Sequence, residues 1–314
     1  MLQPLRLSSF QRLALCTTAS TYLLILVGGL VRASGAGLGC PDWPRCFGSW
    51  IPPASVAELP LQFDRSLFNP TLMWTEHLNR LLGVTVGFLI LAAVVSALRH
   101  HRREPRILWA TIAAMLLTGF QGWLGGLVVA SQLAAWIVTV HMIFALVIVQ
   151  LLLYATVRSF RREGGLPSPF FISLIVVTMI QIGLGTQVRG AIDVAIDSGL
   201  ARASALSSVG PLDHIHRTAA LVVFVGSILI LMWLRARFPK ERTLVRWAAV
   251  VTGLSALQVA LGASMAYVSL APATQVGHLT VASLLLGAET ILLLLAKTEP
   301  SQSPTPVRHA STVG

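Results

Sequence analysis

Two short stretches carry titratable side chains where the surrounding sequence is apolar. "MWTEHLNRLLGV" (73–84) sets Glu76, His77, Asn79 and Arg80 at the mouth of one apolar run, and "GPLDHIHRTAAL" (210–221) sets Asp213, His214, His216 and Arg217 at the mouth of another. Single histidines, His141 and His278, open two further runs. Neutral imidazoles facing one another from neighbouring helices are suited to holding a haem iron axially. Arginines beside them suit haem propionates, and carboxylates near a redox centre suit proton handling. The plainer readings are interhelical hydrogen bonds for the histidines, snorkelling to lipid phosphate for Arg80 and Arg217, and pairing of Glu76 and Asp213 with those arginines.

The elements that must position these groups are membrane spans. Of the 314 residues 55% are hydrophobic and only 11% charged, and the mean hydropathy is +0.76, a balance expected of a polytopic membrane protein. Apolar runs long enough to cross a hydrocarbon core about 30 Å thick lie at about 13–32, 72–98, 107–130, 136–157, 169–189, 212–234, 247–269 and 274–296. Most Lys and Arg fall on one side of these runs: Arg6 and Arg12, the loops "RHHRREPR" (99–106), "RSFRRE" (158–163) and "RARFPKERTLVR" (235–246), and the tail with Lys297 and Arg308. The positive-inside rule makes that side, with both termini, cytoplasmic. The net charge of +11 is spread over short loops and forms no basic domain, which argues for anionic lipid rather than nucleic acid as its counterpart. The first run has an internal counterpart and is read as a retained span, although the small residues of "RASGAG" imitate a cleavage site.

That counterpart belongs to a repeat. Glu76, His77, Asn79 and Arg80 recur at constant spacing as Asp213, His214, His216 and Arg217, and Gln121, Gly125 and His141 recur as Gln258, Gly262 and His278. The first spans match through Gly28 with Gly185 and Arg32 with Arg189, once an insertion in the long external loop (about 33–71) is allowed for. The expected fold is all-α and integral to the membrane, with eight transmembrane helices in two pseudo-twofold-related four-helix bundles. The N-terminal half is 1–163, the C-terminal half 164–297, and 298–314 a disordered cytoplasmic tail.

His100, His101 and His309 fall in cytoplasmic loop or tail, whereas His77, His141, His214, His216 and His278 share one depth near the external surface. Residues two apart on a helix point about 200° apart, so His214 and His216 cannot serve one cavity, and His77 and Asn79 stand in the same relation. No Cys-x-x-Cys-His motif occurs, so a haem here is non-covalent and b-type. Cys40 and Cys46 flank "PDWPR" on the oxidising side and are expected to form a disulfide, with either a structural or a redox and haem-transfer role. Cys16 is expected to be a small packing residue. Glu289, in the last span, has Leu152 as its counterpart and is expected near the cytoplasmic boundary or hydrogen-bonded. The glycines at 28, 29, 125 and 126 permit close helix contacts, within a protomer or in a homo-oligomer.

The stretch "GGLVRASGAGLGCPDWPRCFGSWIPP" with its Cys-Pro-Asp-Trp-Pro-x-Cys core, the eight spans in two repeats, the Glu-x-x-x-Arg and Asp-x-x-His-Arg openings of spans two and six, and the histidines opening spans four and eight resemble the bacterial haem A synthase family over nearly the whole chain. The resemblance implies oxidation of the C8 methyl group of haem O to the formyl group of haem A for cytochrome oxidase, in the inner membrane, with water supplying the oxygen. It implies a resident haem b cofactor between His216 and His278, with Arg217 nearby. It implies a substrate site in the N-terminal half, with His141 a ligand, Arg80 nearby and Glu76 the essential carboxylate. Haem O is the implied substrate. The farnesyltransferase that makes haem O and an electron acceptor are the implied partners. The family pattern has His where this chain has Asn79; either the substrate site has one imidazole, or His77 serves in its place, or His77 and His214 are the ligands of this variant. The rival readings are a di-haem b-type quinone oxidoreductase, which predicts two permanent bis-His haems, and a transporter, which predicts none.

Overall fold

The structure is a computed structural model that describes residues 7–160 and 169–296. Arg6, Arg161, Arg162, Lys297, Arg308, His309 and the expected tail 298–314 lie outside the described residues. All eight expected spans are helices: α1 (Ser9–Ala33), α2 (Pro70–His100), α3 (Pro105–Ala130), α4 (Ala135–Arg158), α5 (Pro169–Asp197), α7 (Pro211–Arg237), α8 (Arg242–Tyr267) and α9 (Pro272–Ala296), with a short α6 (Arg202–Ala205) between α5 and α7. Each of the eight is long and apolar enough to cross a membrane. The chain is a multi-pass membrane protein.

Local chemistry sets the helix starts. The N-cap Ser8 and Gln11 form a reciprocal capping box on α1, which satisfies two amides that the first helical turn leaves open. Asn69 caps α2 by accepting from the Leu72 amide at 3.2 Å, and α2, α3, α5, α7 and α9 each begin on proline, whose missing N–H is harmless there. One boundary differs from expectation. The fifth apolar run ends near Arg189, yet α5 continues to Asp197. Val188, Ile192 and Ala195 carry one apolar face through the polar stretch, and Ala205, Leu206, Val209 and Leu212 cover it. A hydropathy window loses that face because Arg189, Asp193 and Asp197 share the same turns.

Helix α1 packs on α2, α2 on α3, α3 on α4 and α4 back on α1; α5, α7, α8 and α9 close a second ring in the same order. The rings meet through α1 with α9, α4 with α9, and α4 with α5, so α9 is the most buried span. Close approach uses the small residues: a Cβ on Gly29 would meet Leu279 at 3.1 Å and Val276 at 3.9 Å, both on α9. Polar side chains bridge helices where lipid offers no competing partner. Thr18 meets Thr156 at 3.0 Å, and Thr139 is bonded to both Thr186 and Gln187. Cys16 is not used this way; it lies on the exposed face of α1.

At the end of the helices that carries the long loop, Asp193 joins the two rings. Its carboxylate takes Arg32 at 2.5 Å and Arg189 at 2.8 Å, and Arg189 also donates to Gln275 of α9. Two arginines that occupy equivalent repeat positions thus share one acid. Replacing Asp193 with Asn removes the charge that lets them approach. The expected cost is about 1–3 kcal/mol, read as a lowered thermal midpoint of the detergent-solubilised protein; an unchanged midpoint would show that the junction does not depend on this carboxylate.

Candidate functional site

Histidines His216 and His278 face each other across the second ring, with ring centroids 6.5 Å apart. Each is seated on a glycine of a neighbouring helix: a Cβ on Gly185 of α5 would come 2.9 Å from His216 Cε1, and one on Gly262 of α8 would come 3.4 Å from His278 Cε1. Alanine at 185 would push the His216 ring away, so the glycine sets how far back that imidazole can sit. The Nδ1 atoms of both rings are buried without a hydrogen bond of acceptable geometry. His214 is exposed, as its 200° rotation from His216 requires, so the structure directs His216 into the ring and His214 out of it.

These observations test the fit to haem. An imidazole nitrogen binds a metal at about 2 Å, and the nitrogen lies roughly 1 Å from its ring centre. Two axial imidazoles therefore place their centroids a little over 6 Å apart, close to the spacing seen. The donor set, two neutral nitrogen ligands held in apolar helices, suits haem iron. Arg217 reaches from the same turn, pairing with Asp213 at 2.6 Å and donating to the Tyr267 hydroxyl at 3.1 Å. Its side chain remains 37% exposed, which leaves donors for an anionic group.

The first ring differs. His141 sits over Gly125, whose Cβ would lie 3.7 Å from its Cε1, and its Nδ1 has no partner. Gln121, one turn before Gly125, donates to the His141 carbonyl at 2.9 Å. Where His216 lies over Gly185, the equivalent Asn79 leaves Gly28 with nothing within 4 Å of a Cβ. Asn79 Oδ1 is buried and unpartnered. His77 is buried too, but its ring contact is with Trp74, edge-on at 5.6 Å; among the described residues no ring contact joins it to His141. The structure therefore brings His216 and His278 together and does not bring His77 and His141 together in the same way.

Arg80 and Glu76 are engaged with the long loop. Glu76, 4% exposed, accepts from the Cys40 amide at 2.7 Å with Oε2 and from Arg80 with Oε1. The remaining Arg80 donors go to the carbonyls of Cys40, Asp42 and Arg45. Cys40 and Cys46 are joined in the expected disulfide. Asp42 supplies the expected turn by accepting from the Phe47 and Gly48 amides at 2.6 and 2.9 Å. Around the bridge Phe47, Leu59 and Met73 form a small buried cluster. Trp43 lies flat enough on Gly126 that a Cβ there would stand 3.0 Å from its ring, and Gly39 runs against the Leu72 backbone too closely for any side chain. The loop is thus pinned over the mouth of the first ring. Sequence reasoning anticipated the disulfide and the turn but not this use of Arg80, because three carbonyl acceptors leave no mark on side-chain identity. The glycine seats at 185 and 262 were visible only as repeat-matched positions, and that at 125 also as a site of close helix contact; their relation to the histidines needed the helix rotations.

Residues 11–290 match the COX15-CtaA family, described as "Cytochrome oxidase assembly protein". A protein of Shewanella oneidensis named "Heme A synthase" is 30% identical over 306 aligned residues, covering 86% of this chain and 91% of that protein. One of Geobacillus kaustophilus with the same name is 33% identical over 146 residues, covering 46% of this chain and 41% of that protein. One of Allorhizobium ampelinum is 26% identical, covering 57% of this chain and 55% of that protein. With the family matched over most of its length, and a relative aligned almost end to end, this chain belongs to the haem A synthase family.

Proposed function

We propose that the chain is a haem A synthase, an oxidoreductase that converts the C8 methyl group of haem O to the formyl group of haem A, with a resident haem b between His216 and His278. The observation that carries this reading is the asymmetry of the rings: two glycine-seated imidazoles 6.5 Å apart in one, and one glycine-seated imidazole opposite Asn79 in the other. A bound haem supplies one-electron redox chemistry. The chain supplies the rest: His216 and His278 would hold the resident group, Arg217 would offer donors to its propionates, and His141 would offer a single nitrogen to a haem that must enter and leave. The loop fastened by Glu76 and Arg80 covers that second site. The two rings, with boundaries near 163 and 297, are read as repeat halves related by a pseudo-twofold axis, and the basic loops as the cytoplasmic side.

Nothing favours a protein with two permanent bis-His haems, because Asn79 is a poor axial ligand and, among the described residues, no other imidazole contacts the His141 ring. Expression in cells that make haem O but no haem A is the direct test: haem A should appear among the extracted pigments. Persistence of haem O alone, beside a well-expressed and pigmented protein, would exclude the activity. The single-imidazole site makes a separate prediction. Asn79→His places a ring over the open Gly28, as His216 lies over Gly185, and should raise tightly held haem from about one to about two per chain. Pyridine haemochrome content against protein concentration measures it; an unchanged ratio would show that Gly28 does not seat a ligand.

A further inference from the structure

Beneath the His216–His278 pair lies a group of polar side chains that neither ligation nor packing accounts for. Gln181, Ala220, Gln258 and Ala282 lie one helical turn from Gly185, His216, Gly262 and His278, respectively, and with Thr178 and Ser255 of the next turn they line a cavity of ≈ 30 Å³. That volume has room for about two water molecules. Its walls have unused hydrogen-bonding capacity: Gln181 Oε1, Gln258 Oε1 and Ser255 Oγ are buried with no partner, a costly state that bridging water relieves. Thr178 carries the line onward by donating to Glu289 Oε1 at 2.8 Å, while Glu289 Oε2 is buried and unpartnered in a residue only 2% exposed.

The fold does not require a polar side chain at the positions of Gln181 and Glu289. Thr178, Ser255 and Gln258 have polar first-ring counterparts in Thr21, Thr118 and Gln121, but Gln181 and Glu289 correspond to Leu24 and Leu152, which pack with Val86 and Ile148 as one apolar cluster. Gln181 and the ionisable Glu289 occur only under the paired imidazoles. An ionisable group at membrane depth is expensive, and its restriction to one half ties it to what that half holds.

We infer that Glu289, Thr178 and water in this cavity form a proton-holding chain under the resident haem. Its carboxylate would take up one proton from the bulk aqueous phase, relayed by the cavity water, when the haem takes one electron released by oxidation of the substrate methyl group, and would return that proton to the aqueous phase when the electron passes to the acceptor. The inference rests on the haem assignment above. Adding an electron removes one positive charge about 16 Å from Glu289, eleven residues along α9 from His278. A carboxylate in apolar surroundings responds to such a loss by protonating. The other titratable or charged groups near it are few. His216 and His278 lie above. Tyr22 of α1 stands against Gly287 on another face of α9. Arg12 and Arg32 of α1, His141, Tyr154 and Arg158 of α4, Arg189, Asp193 and Asp197 of α5, and Arg242, Arg246 and Tyr267 of α8 are the others on the helices packed against α9; among the described residues the side chain hydrogen-bonded to Glu289 is Thr178.

The test uses the purified, haem-loaded chain in detergent. Wild-type pigment that depends on His278 establishes the haem assignment first; a colourless protein overturns that assignment and this inference with it. In redox titrations the wild-type potential should fall as pH rises through the carboxyl's titration, since protons favour the reduced state, and Glu289→Gln should flatten that dependence. Reduced-minus-oxidised infrared spectra should show a protonated-carboxyl band that is absent in Glu289→Gln and displaced in Thr178→Val. If Glu289→Gln fails to accumulate, the wild-type band and its shift in Thr178→Val decide the matter alone. An unchanged pH dependence in Glu289→Gln, or a wild-type difference spectrum with no carboxyl band, would overturn the inference and leave Glu289 a hydrogen-bonded packing residue.

Discussion

Replacing His278 by alanine should remove the tightly held pigment from the purified protein. The two imidazoles of the second ring are held at a spacing that matches a metal between them; behind His216, Gly185 admits no Cβ without displacing the ring, and behind His278, Gly262 lies at contact distance. On the proposed ligand set, losing the His278 nitrogen would leave a haem held by His216, by apolar contact and by Arg217. A structural change one shell out from a metal already costs about 10–100-fold in affinity, and loss of the ligand itself costs more, so the haem should wash out during purification. His214→Ala is the matched control. It lies two residues from His216, shares its depth and its helix, and points outward, so its pigment should equal wild type. Absorbance at the main haem band per unit of protein reads both variants. Full pigment in His278→Ala, or loss in His214→Ala, would reverse the ligand assignment.

The pair of variants also marks where the sequence stops being informative. The eight spans were legible because a membrane imposes a one-dimensional rule, the apolar length needed to cross it. The Cys40–Cys46 bridge was legible because covalent chemistry needs only proximity and an oxidising side. Choosing His216 over His214 was not, since spacing shows that only one can face inward and says nothing about which. That choice depends on the rotation of α7 against α5, set by the fit of one ring over Gly185. Likewise Arg32 and Asp193 lie 161 positions apart, and no local pattern announces that two repeat-related arginines share one acid. The extension of α5 to Asp197 was hidden for a related reason, because its apolar face is interrupted by the charged residues that build the junction.

Glu76→Gln should lower haem A formation by about 100-fold or more, the lower range for loss of a group that handles protons, while leaving the pigment of the second ring in place. The geometry explains why one residue can matter twice. With Oε1 occupied by Arg80 and Oε2 by the Cys40 amide, Glu76 fastens the disulfide loop over the first ring. In that state most of its acceptor positions are taken, so accepting a proton competes with holding Arg80 and the loop. The amide introduced by Glu76→Gln would keep one acceptor for the loop but turn an N–H donor towards a guanidinium that needs a negative charge, and unbalancing a buried pair costs about 3–5 kcal/mol. A loop-release effect has to be separated from chemistry, and the disulfide provides the means. Replacing Cys40 and Cys46 together by Ser removes a clamp around a short loop, worth about 2 kcal/mol, and leaves the carboxylate untouched. Protease sensitivity of the exposed segment around Trp50 and Ile51 reports release in both variants. At equal release, the serine pair should retain most of its product while Glu76→Gln retains little. Product that follows loop release alike in the two would mean that Glu76 acts only as an anchor, and product unchanged in Glu76→Gln would remove it from the reaction altogether.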